Sequence, residues 1–397
     1  PIDAARTSIS PIDARAAARV NRRDACSRGV DGAQLRAESM ANGLRIFQAM
    51  AGARLGGAEA FFERLALAFA RAGVNQRVAI RRDAARAQLL TRGGVAVTQL
   101  RFGGPLDLPS RIGFARELDA FDPEIVLGWM NRACGALPPR WLLPRARYVA
   151  VGRLGGYYDL KYYRRCDWLI GNTPDLRDYL VRSGWPASRA VYLPNFVDAA
   201  PAVAIDRASL GARIDQPVAL ALGRLHANKA FDVLIAAAAA LPDLQVWIAG
   251  EGPLEDALRA QARASGVEAR VRFLGWRQDI GALLAAADLL VCPSRHEPLG
   301  NVVIEAWAHR RPVIAATSAG PSQLIRHMET GLLVPVDDVT ALAAAIARLA
   351  GDPAQGAALA AAGRAAYEAE FTEAAVVKRY LDFFADITAR ARGMEHP

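Results

Sequence analysis

Several things are scarce in this 397-residue chain, and each scarcity excludes something. Cysteine occurs four times, at Cys26, Cys134, Cys166 and Cys292, with no pair at metal-ligand or redox spacing. A zinc ribbon, a thioredoxin-type motif and a disulfide scaffold are thereby disfavoured, and a reduced cytoplasmic setting is expected. No apolar stretch reaches the roughly 18 to 20 uncharged residues needed to cross a bilayer. The first residues lack a compact apolar segment followed by a small-residue cleavage site, so no secretory signal is expected. Gly-x-Gly-x-x-Gly is missing, so a dinucleotide fold is not specifically indicated. Lysine is nearly absent: Lys161, Lys229 and Lys378 stand among 49 basic residues.

What is present supports a large globular core, with 52 % hydrophobic and 22 % charged residues in a chain long enough for two domains. The net charge of +9 is uneven. Residues 40 to 200 carry 23 basic and 13 acidic side chains, whereas residues 201 to 397 carry 19 and 22. A basic first half suits an acidic partner: phosphate groups, an anionic membrane surface or nucleic acid. A GC-rich coding sequence would produce the same arginine excess. Residues 1–39 repeat PIDA, scatter their arginines and lack apolar periodicity, which predicts a disordered tail. Met40 stands just before the convincing strand GLRIFQAM.

From there, strand-like runs alternate with helical patterns: LRIFQAM (44–50), QRVAI (76–80), VAVTQL (95–100), IVLGWM (125–130), RYVAVGR (147–153) and WLIGNT (168–173). After PNFVDAAPAVA the alternation restarts with PVALALGRL, LQVWIAG, RVRFLG, LLVCPS, PVIAAT and LLVP. Alternation of this kind predicts an α/β protein with two doubly wound parallel sheets, joined near 195–215. Ligands then sit at the carboxyl ends of the strands, between the domains.

Five strand-end segments carry candidate chemistry. Gly56 and Gly57 close a strand-to-helix turn, where the backbone can approach an anion or simply turn tightly. Arg224 follows a strand directly, and Lys229 stands just before an amphipathic helix; together they suit a diphosphate or a solvated surface. Gly250 and Gly252 in AGEGPLED, and Leu274 in VRFLGW, are placed to line a nucleotide pocket. The fifth segment is SRHEPLGNVVIEAW, with Glu297 in a loop and Glu305 inside an apolar helix expected to begin near Leu299 or Gly300. An acid among apolar residues costs stability unless it is paired or reaches a ligand. Eight residues along a helix would span about 12 Å, roughly the reach from a ribose across a diphosphate to a sugar. Glu305 can accept from ribose hydroxyls and Glu297 from sugar hydroxyls, with the amides of Leu299, Gly300 and Asn301 between them at the phosphates.

Glu297 to Glu305 resembles the E-x7-E motif of retaining glycosyltransferases of the GT-B fold, family four. GRLHANKAFDVLI, IAGEGP, VRFLGW, the early GGAE and PSRHEPLGNVVIEAWAHRRPVIAATSAGPSQLI are similar to that family's segments, in its chain order, from about 44 to 375. The resemblance implies a GT-B architecture of two Rossmann-like domains facing across a cleft: an acceptor-side domain over 40–200 and a nucleotide-sugar domain over 201–375. A helix over 376–397 would cross back to the first domain. It further implies that Arg224 and Lys229 hold the donor diphosphate, Glu305 the ribose and Glu297 the transferred sugar, with the Gly56–Gly57 loop closing over the phosphates. Many relatives place a histidine in the first domain near the reaction centre, but this chain has none between 40 and 200. Arg153 and Asn131 are the candidates to take over its contacts.

The expected substrates are a UDP- or GDP-linked sugar and a glycan or lipid-linked acceptor. No cofactor is expected, and no metal, because no Asp-x-Asp occurs. On the acceptor side, Tyr157, Tyr158, Tyr162 and Tyr163 interleave with Lys161, Arg164 and Arg165. That mixture suits sugar stacking, a lipid diphosphate or the membrane interface, and equally the packing of a helix with snorkelling cations. A cytoplasmic location is expected, with peripheral contact on the anionic inner face of the membrane. A nucleotide-sugar epimerase of the same architecture and a noncatalytic nucleic-acid-binding protein are the competing readings. Against the latter, no nucleic-acid module is recognisable.

Overall fold

The computed structural model describes residues 43–393 apart from 54–55, 105–106 and 198. The expected tail over 1–39 lies outside the described residues. Two parallel sheets succeed each other along the chain. The first has strands β1 (Arg45–Met50), β2 (Asn75–Arg81), β3 (Ala96–Leu100), β4 (Ile125–Trp129), β5 (Val149–Leu154), β6 (Trp168–Gly171) and β7 (Ala190–Tyr192), in the order 3-2-1-4-5-6-7. The second has β8 (Val218–Leu222), β9 (Gln245–Ala249), β10 (Val271–Phe273), β11 (Leu289–Cys292), β12 (Val313–Ala316) and β13 (Leu332–Val334), in the order 10-9-8-11-12-13. Each order reverses beside its first strand, and that switch point opens a crevice at the carboxyl edge.

Both faces of each sheet are buried, which is why the strands read as nearly continuous apolar runs. In β4, Ile125, Leu127 and Trp129 point into one core and Val126 into the other. In β9, Val246 and Ile248 face one side while Trp247 and Ala249 face the opposite one. β7 is not among the strands expected from the sequence: a three-residue edge strand is too short to show a period.

The last helix, α13 (Glu373–Gly393), buries Val376, Val377, Tyr380, Leu381, Phe384 and Ile387. Their spacing makes one stripe on a helix. That stripe lies in the core of the first domain, against the first helix, α1 (Gly57–Arg71). Phe69 meets Tyr380 and Phe384 edge-on at centroid distances of 6.2 and 6.4 Å. The chain's end therefore returns to the domain in which it started.

Candidate active site

At the carboxyl edge of the second sheet, two loops meet. One succeeds β8 and contains Arg224 and Lys229; the other succeeds β11 and contains Glu297. Lys229 Nζ donates to Glu297 Oε2, and both side chains are mostly buried, 22 % and 10 % exposed. Burial alone would push the Lys229 ammonium down, but the Glu297 carboxylate outweighs it by charge and hydrogen bond, and the net shift is upward. Glu297 Oε1 also accepts from Gly300 N at 3.2 Å. The two loops are tied together by further bonds. His296 N donates to Asn228 O at 3.2 Å, and Arg295 Nη1 donates to Ala227 O at 2.9 Å while its guanidinium pairs with Asp232 and Asp337. Arg224 is exposed and has no ion-pair partner among the described residues.

The glycines here are demanded by backbone contact. Gly250 has φ 152° and lies so close to Gly223 O that no Cβ fits, and a Cβ at Gly252 would strike the backbone of Leu225. They bring the loop after β9 against the one bearing Arg224. A Cβ at Gly320 would lie 2.6 Å from Leu299 C and 2.8 Å from Glu297 O, and Gly320 N donates to Glu297 O at 2.7 Å. Gly320 thus holds the acidic loop from behind, a role that one sequence does not reveal. Leu274 is half-buried against the second domain's core.

The helix after the acidic loop is α9 (Asn301–Ala308), with Gly300 in the left-handed conformation as its N-cap. It starts one to two residues later than expected. Leu299 and Gly300 precede it, and Glu305 lies one turn inside, half-buried. Removal from water pushes the Glu305 carboxyl up to about 7; Arg64 opposes the rise, the Glu297 charge adds to it and Lys229 opposes it. Arg64 belongs to α1 of the first domain, so a cation from across the cleft acts on this acid.

Around the first sheet's edge, Glu59 is buried and its carboxylate fills the space over Gly52 and Gly56; a Cβ on either would collide with it. Ala53 N donates to Glu59 Oε1 at 2.8 Å. Gly56 has extended φ, so the Glu59 carboxylate, not the backbone, requires glycine there. Nothing described lies within 4 Å of a Cβ placed on Gly57, which leaves that turn open.

Arg153 is placed differently from the expectation of a sugar or phosphate contact. It is 1 % exposed, sandwiched at 4.6 Å from both the Phe61 and Trp129 rings. Its Nε donates to Tyr380 Oη at 2.8 Å, and its Nη2 donates to Asn195 Oδ1. Asn195 Nδ2 then donates to Asn301 Oδ1 at 3.3 Å. This relay runs from α13 through β5 and the interdomain connection to the start of α9. Asn131, just past β4, lines cavities of about 480 and 220 Å³. Of the four tyrosines, Tyr163 is core, Tyr158 is half-buried with Oη 3.8 Å from Met130 Sδ, and Tyr157 and Tyr162 are exposed. Tyr157 Oη donates to Asp175, and burial together with that carboxylate pushes it up to about 12. Among the described residues, no group of three or more His, Cys, Asp or Glu side chains is placed to hold a metal ion.

Comparison with known proteins decides the family. Residues 55–200 match the model described as Glycosyltransferase Family 4, and residues 216–352 that of Glycosyl transferases group 1. A lipopolysaccharide core biosynthesis glycosyltransferase, LpsE of Rhizobium meliloti (strain 1021), is 34 % identical over 335 residues, covering 83 % of this chain and 96 % of its own length. The chain belongs to glycosyltransferase family 4. LpsD of the same organism, carrying the same description, is 34 % identical over 336 residues, 83 % of this chain and 95 % of LpsD. The crystal structure of Anabaena Alr3699/HepE in complex with UDP shares the GT-B fold, with a TM-score of 0.77, 22 % identity, and coverage of 86 % of this chain and 100 % of HepE.

For this family-4 glycosyltransferase the structure brings Lys229, Glu297, Gly300 and Asn301 together, with Arg224 and Glu305 on the same sheet edge. Glu59, Arg64, Asn195 and Gly320 are not among the candidates that the sequence singles out. The GGAE segment held the signal for Glu59, since an acid in the first turn of an apolar helix is placed to accept from nearby backbone amides. Arg64 looks like any solvated helix arginine until the second domain is placed opposite it.

Proposed function

We propose that this glycosyltransferase moves a hexose-type sugar from a UDP- or GDP-linked donor to a hydroxyl of a glycan or lipid-linked acceptor in lipopolysaccharide core assembly, with retention of anomeric configuration. The observation that carries the reading is the Lys229–Glu297 pair at the second sheet's carboxyl edge, with Glu305 eight residues further on. The lipopolysaccharide assignment is supported by the descriptions of LpsE and LpsD.

In this reading the diphosphate enters beside Arg224 and Lys229 and the amides at the start of α9. The acceptor hydroxyl forms its bond to the anomeric carbon as the bond to the diphosphate breaks on the same face. The hydroxyl proton passes to the departing phosphate oxygen, giving a glycoside and a nucleoside diphosphate. No histidine base is needed, because the leaving group gathers the charge and the two cations are placed to meet it. These cations would do what a divalent ion does elsewhere, so a metal-independent reaction is proposed. Glu297, released from Lys229 by phosphate, would accept from sugar hydroxyls. Glu305 would accept from the ribose.

Peripheral contact with the anionic inner membrane face is part of the proposal. Trp141 is 76 % exposed and Leu142 45 % exposed, in a segment that also holds Arg140, Arg145 and Arg147. Among the described residues, no helix is long and apolar enough to cross a membrane.

The test is a thermal-shift panel with UDP, GDP, ADP and their sugars, with and without EDTA. A ligand at about 100 times its dissociation constant adds about 2.7 kcal/mol. Selective stabilisation by one nucleotide, unchanged by EDTA, is expected. No response to any nucleotide would sink the reading. Release of free monosaccharide or of isomerised donor without acceptor would point to the epimerase instead.

A further inference from the structure

The larger of the two cavities that Asn131 lines has more cations than the donor chemistry uses. It encloses about 480 Å³ at the carboxyl edge of the first sheet, bounded by Arg81 at the end of β2, by the turn after β3, and by Asn131 and Arg132 after β4. Arg111, on the helix Leu108–Phe121, closes the far side. A smaller cavity of about 220 Å³ shares Arg81, Asn131 and Arg132 and reaches the glycine loop at Gly52 and Glu59. The two spaces therefore lead from the glycine loop, on the side that faces the donor domain, into a basic recess.

Three guanidinium groups line that recess, and among the described residues no ion pair joins them to the two carboxylates beside it, Asp107 and Glu59. No side-chain hydrogen bond or ion pair joins the guanidinium of Arg81 or Arg111 to any described residue, and Arg111 Nε is buried without a partner. Arg132 makes one long bond, from Nη1 to Ala51 O at 3.3 Å. Asp107 is the sole carboxylate among the described lining residues of the larger cavity, and its oxygens are committed elsewhere. Oδ2 accepts from Gly103 N at 2.7 Å and Ser110 Oγ at 2.6 Å, and Oδ1 from Ser110 N at 3.2 Å. A buried guanidinium nitrogen without an acceptor is costly, and so is a cluster of like charges. An oxyanion inserted among Arg81, Arg111 and Arg132 would relieve both. Two wall residues, Phe102 and Met130, have φ of 46° and 58°, where non-glycine residues are strained.

We propose that this recess binds an anionic substituent of the acceptor, a phosphate monoester or a carboxylate on the acceptor sugar, and so selects an acidic over a neutral acceptor. The inference rests on the glycosyltransferase reading above, which makes the first domain the acceptor side. The arginines orient the acceptor: their forked donors hold an oxyanion in a fixed direction, which fixes where the neighbouring hydroxyl points.

The test compares three hexoses that differ only at C6: glucose, glucose 6-phosphate and glucuronate. Binding to the full chain is measured by calorimetry at one fixed, low ionic strength. At least one of the two acids should bind about tenfold or more tightly than glucose, equivalent to about 1.4 kcal/mol. Preference for the phosphate alone names a phosphorylated acceptor; equal preference for both acids names the oxyanion as the only requirement; preference for glucuronate alone names a carboxylate. In Arg81→Gln/Arg111→Gln the preference should fall below about threefold, and Arg111→Lys should restore part of it by returning a charge. Equal or undetectable binding of all three sugars overturns the proposal. So does a preference that survives Arg81→Gln/Arg111→Gln, or one that vanishes in Arg224→Ala instead. Nucleotide stabilisation is read in the same samples. If it persists while the anion preference is missing, this inference alone has failed; if it is also missing, the donor reading has failed with it.

Discussion

At the carboxyl edge of the second sheet a mostly buried cation meets a mostly buried acid within hydrogen-bond reach. At the corresponding edge of the first sheet, three arginines gather, and among the described residues no ion pair joins them to the nearby Asp107 or Glu59. The two sheets have the same doubly wound form, so the difference lies in the loops at their strand ends. In the second domain, glycines at 250, 252 and 320 press loop backbones together, and Lys229 and Glu297 neutralise each other. Such a site is already wired before a ligand arrives. In the first domain the loops stand further apart and enclose open volume, and positive charge is left over. The contrast teaches that topology supplies two equivalent crevices, while short-range packing decides which is a preformed socket and which a charged recess.

The donor edge should respond most. Arg224→Ala and Lys229→Ala are each expected to lower kcat by about 100- to 1000-fold, corresponding to about 2.7–4 kcal/mol of lost charge stabilisation. Steady-state turnover with the donor found in the nucleotide panel checks this; full activity of either variant would remove the contrast between the two edges.

Glu305 should give the next largest effect. Its alanine variant is expected to bind the donor about 10- to 100-fold more weakly, the range for losing hydrogen bonds to a charged group. The pH dependence sharpens the point. Because the folded carboxyl holds its proton up to about 7, binding of a nucleotide sugar should weaken as pH falls below about 7, approaching tenfold per pH unit. Glu305→Gln should flatten that profile. The sign for stability is the opposite of a paired carboxylate. The folded chain binds this proton more tightly than the unfolded chain does, so its contribution is present below about 4.5 and is lost as pH rises to about 7. Glu305→Gln should therefore be more stable than the parent at pH 8, by on the order of 1–3 kcal/mol, and nearly equal to it at pH 4. Thermal unfolding at the two pH values checks this, and a pH-independent difference would contradict it.

The smallest effect concerns the junction between the two edges. Tyr380→Phe removes the hydroxyl that accepts from Arg153 and should cost about 1 kcal/mol of stability, with the donor edge left in place. A melt and a nucleotide titration separate the two. Loss of donor affinity would mean that the relay from Tyr380 through Arg153 and Asn195 to Asn301 also sets the geometry of α9.

Much of the second domain was legible in the sequence because its chemistry is local. Arg224 and Lys229 lie five residues apart, and Glu297 and Glu305 eight. Arg224 follows an apolar strand, Lys229 precedes an apolar helix, and Glu297 and Glu305 stand before and inside another. The first domain was less legible. Arg153 stood at a strand end and looked available, but Phe61, Trp129, Asn195 and Tyr380, all distant in sequence, enclose it. Arg81, Arg111 and Arg132 were three among many arginines, and no spacing connects them.

The sequence by itself determined the alternation of strands and helices, both parallel sheets, the family-4 motifs and the amphipathic last helix. These arise from period, propensity and turn chemistry, which act over a few residues. The tertiary structure alone decided that Lys229 meets Glu297 across 68 residues, that Arg64 acts on Glu305 across the cleft, and that Arg153 joins a helix 227 residues away. Pairings of that kind depend on how whole elements pack. Nothing in the residues flanking either partner carries that information.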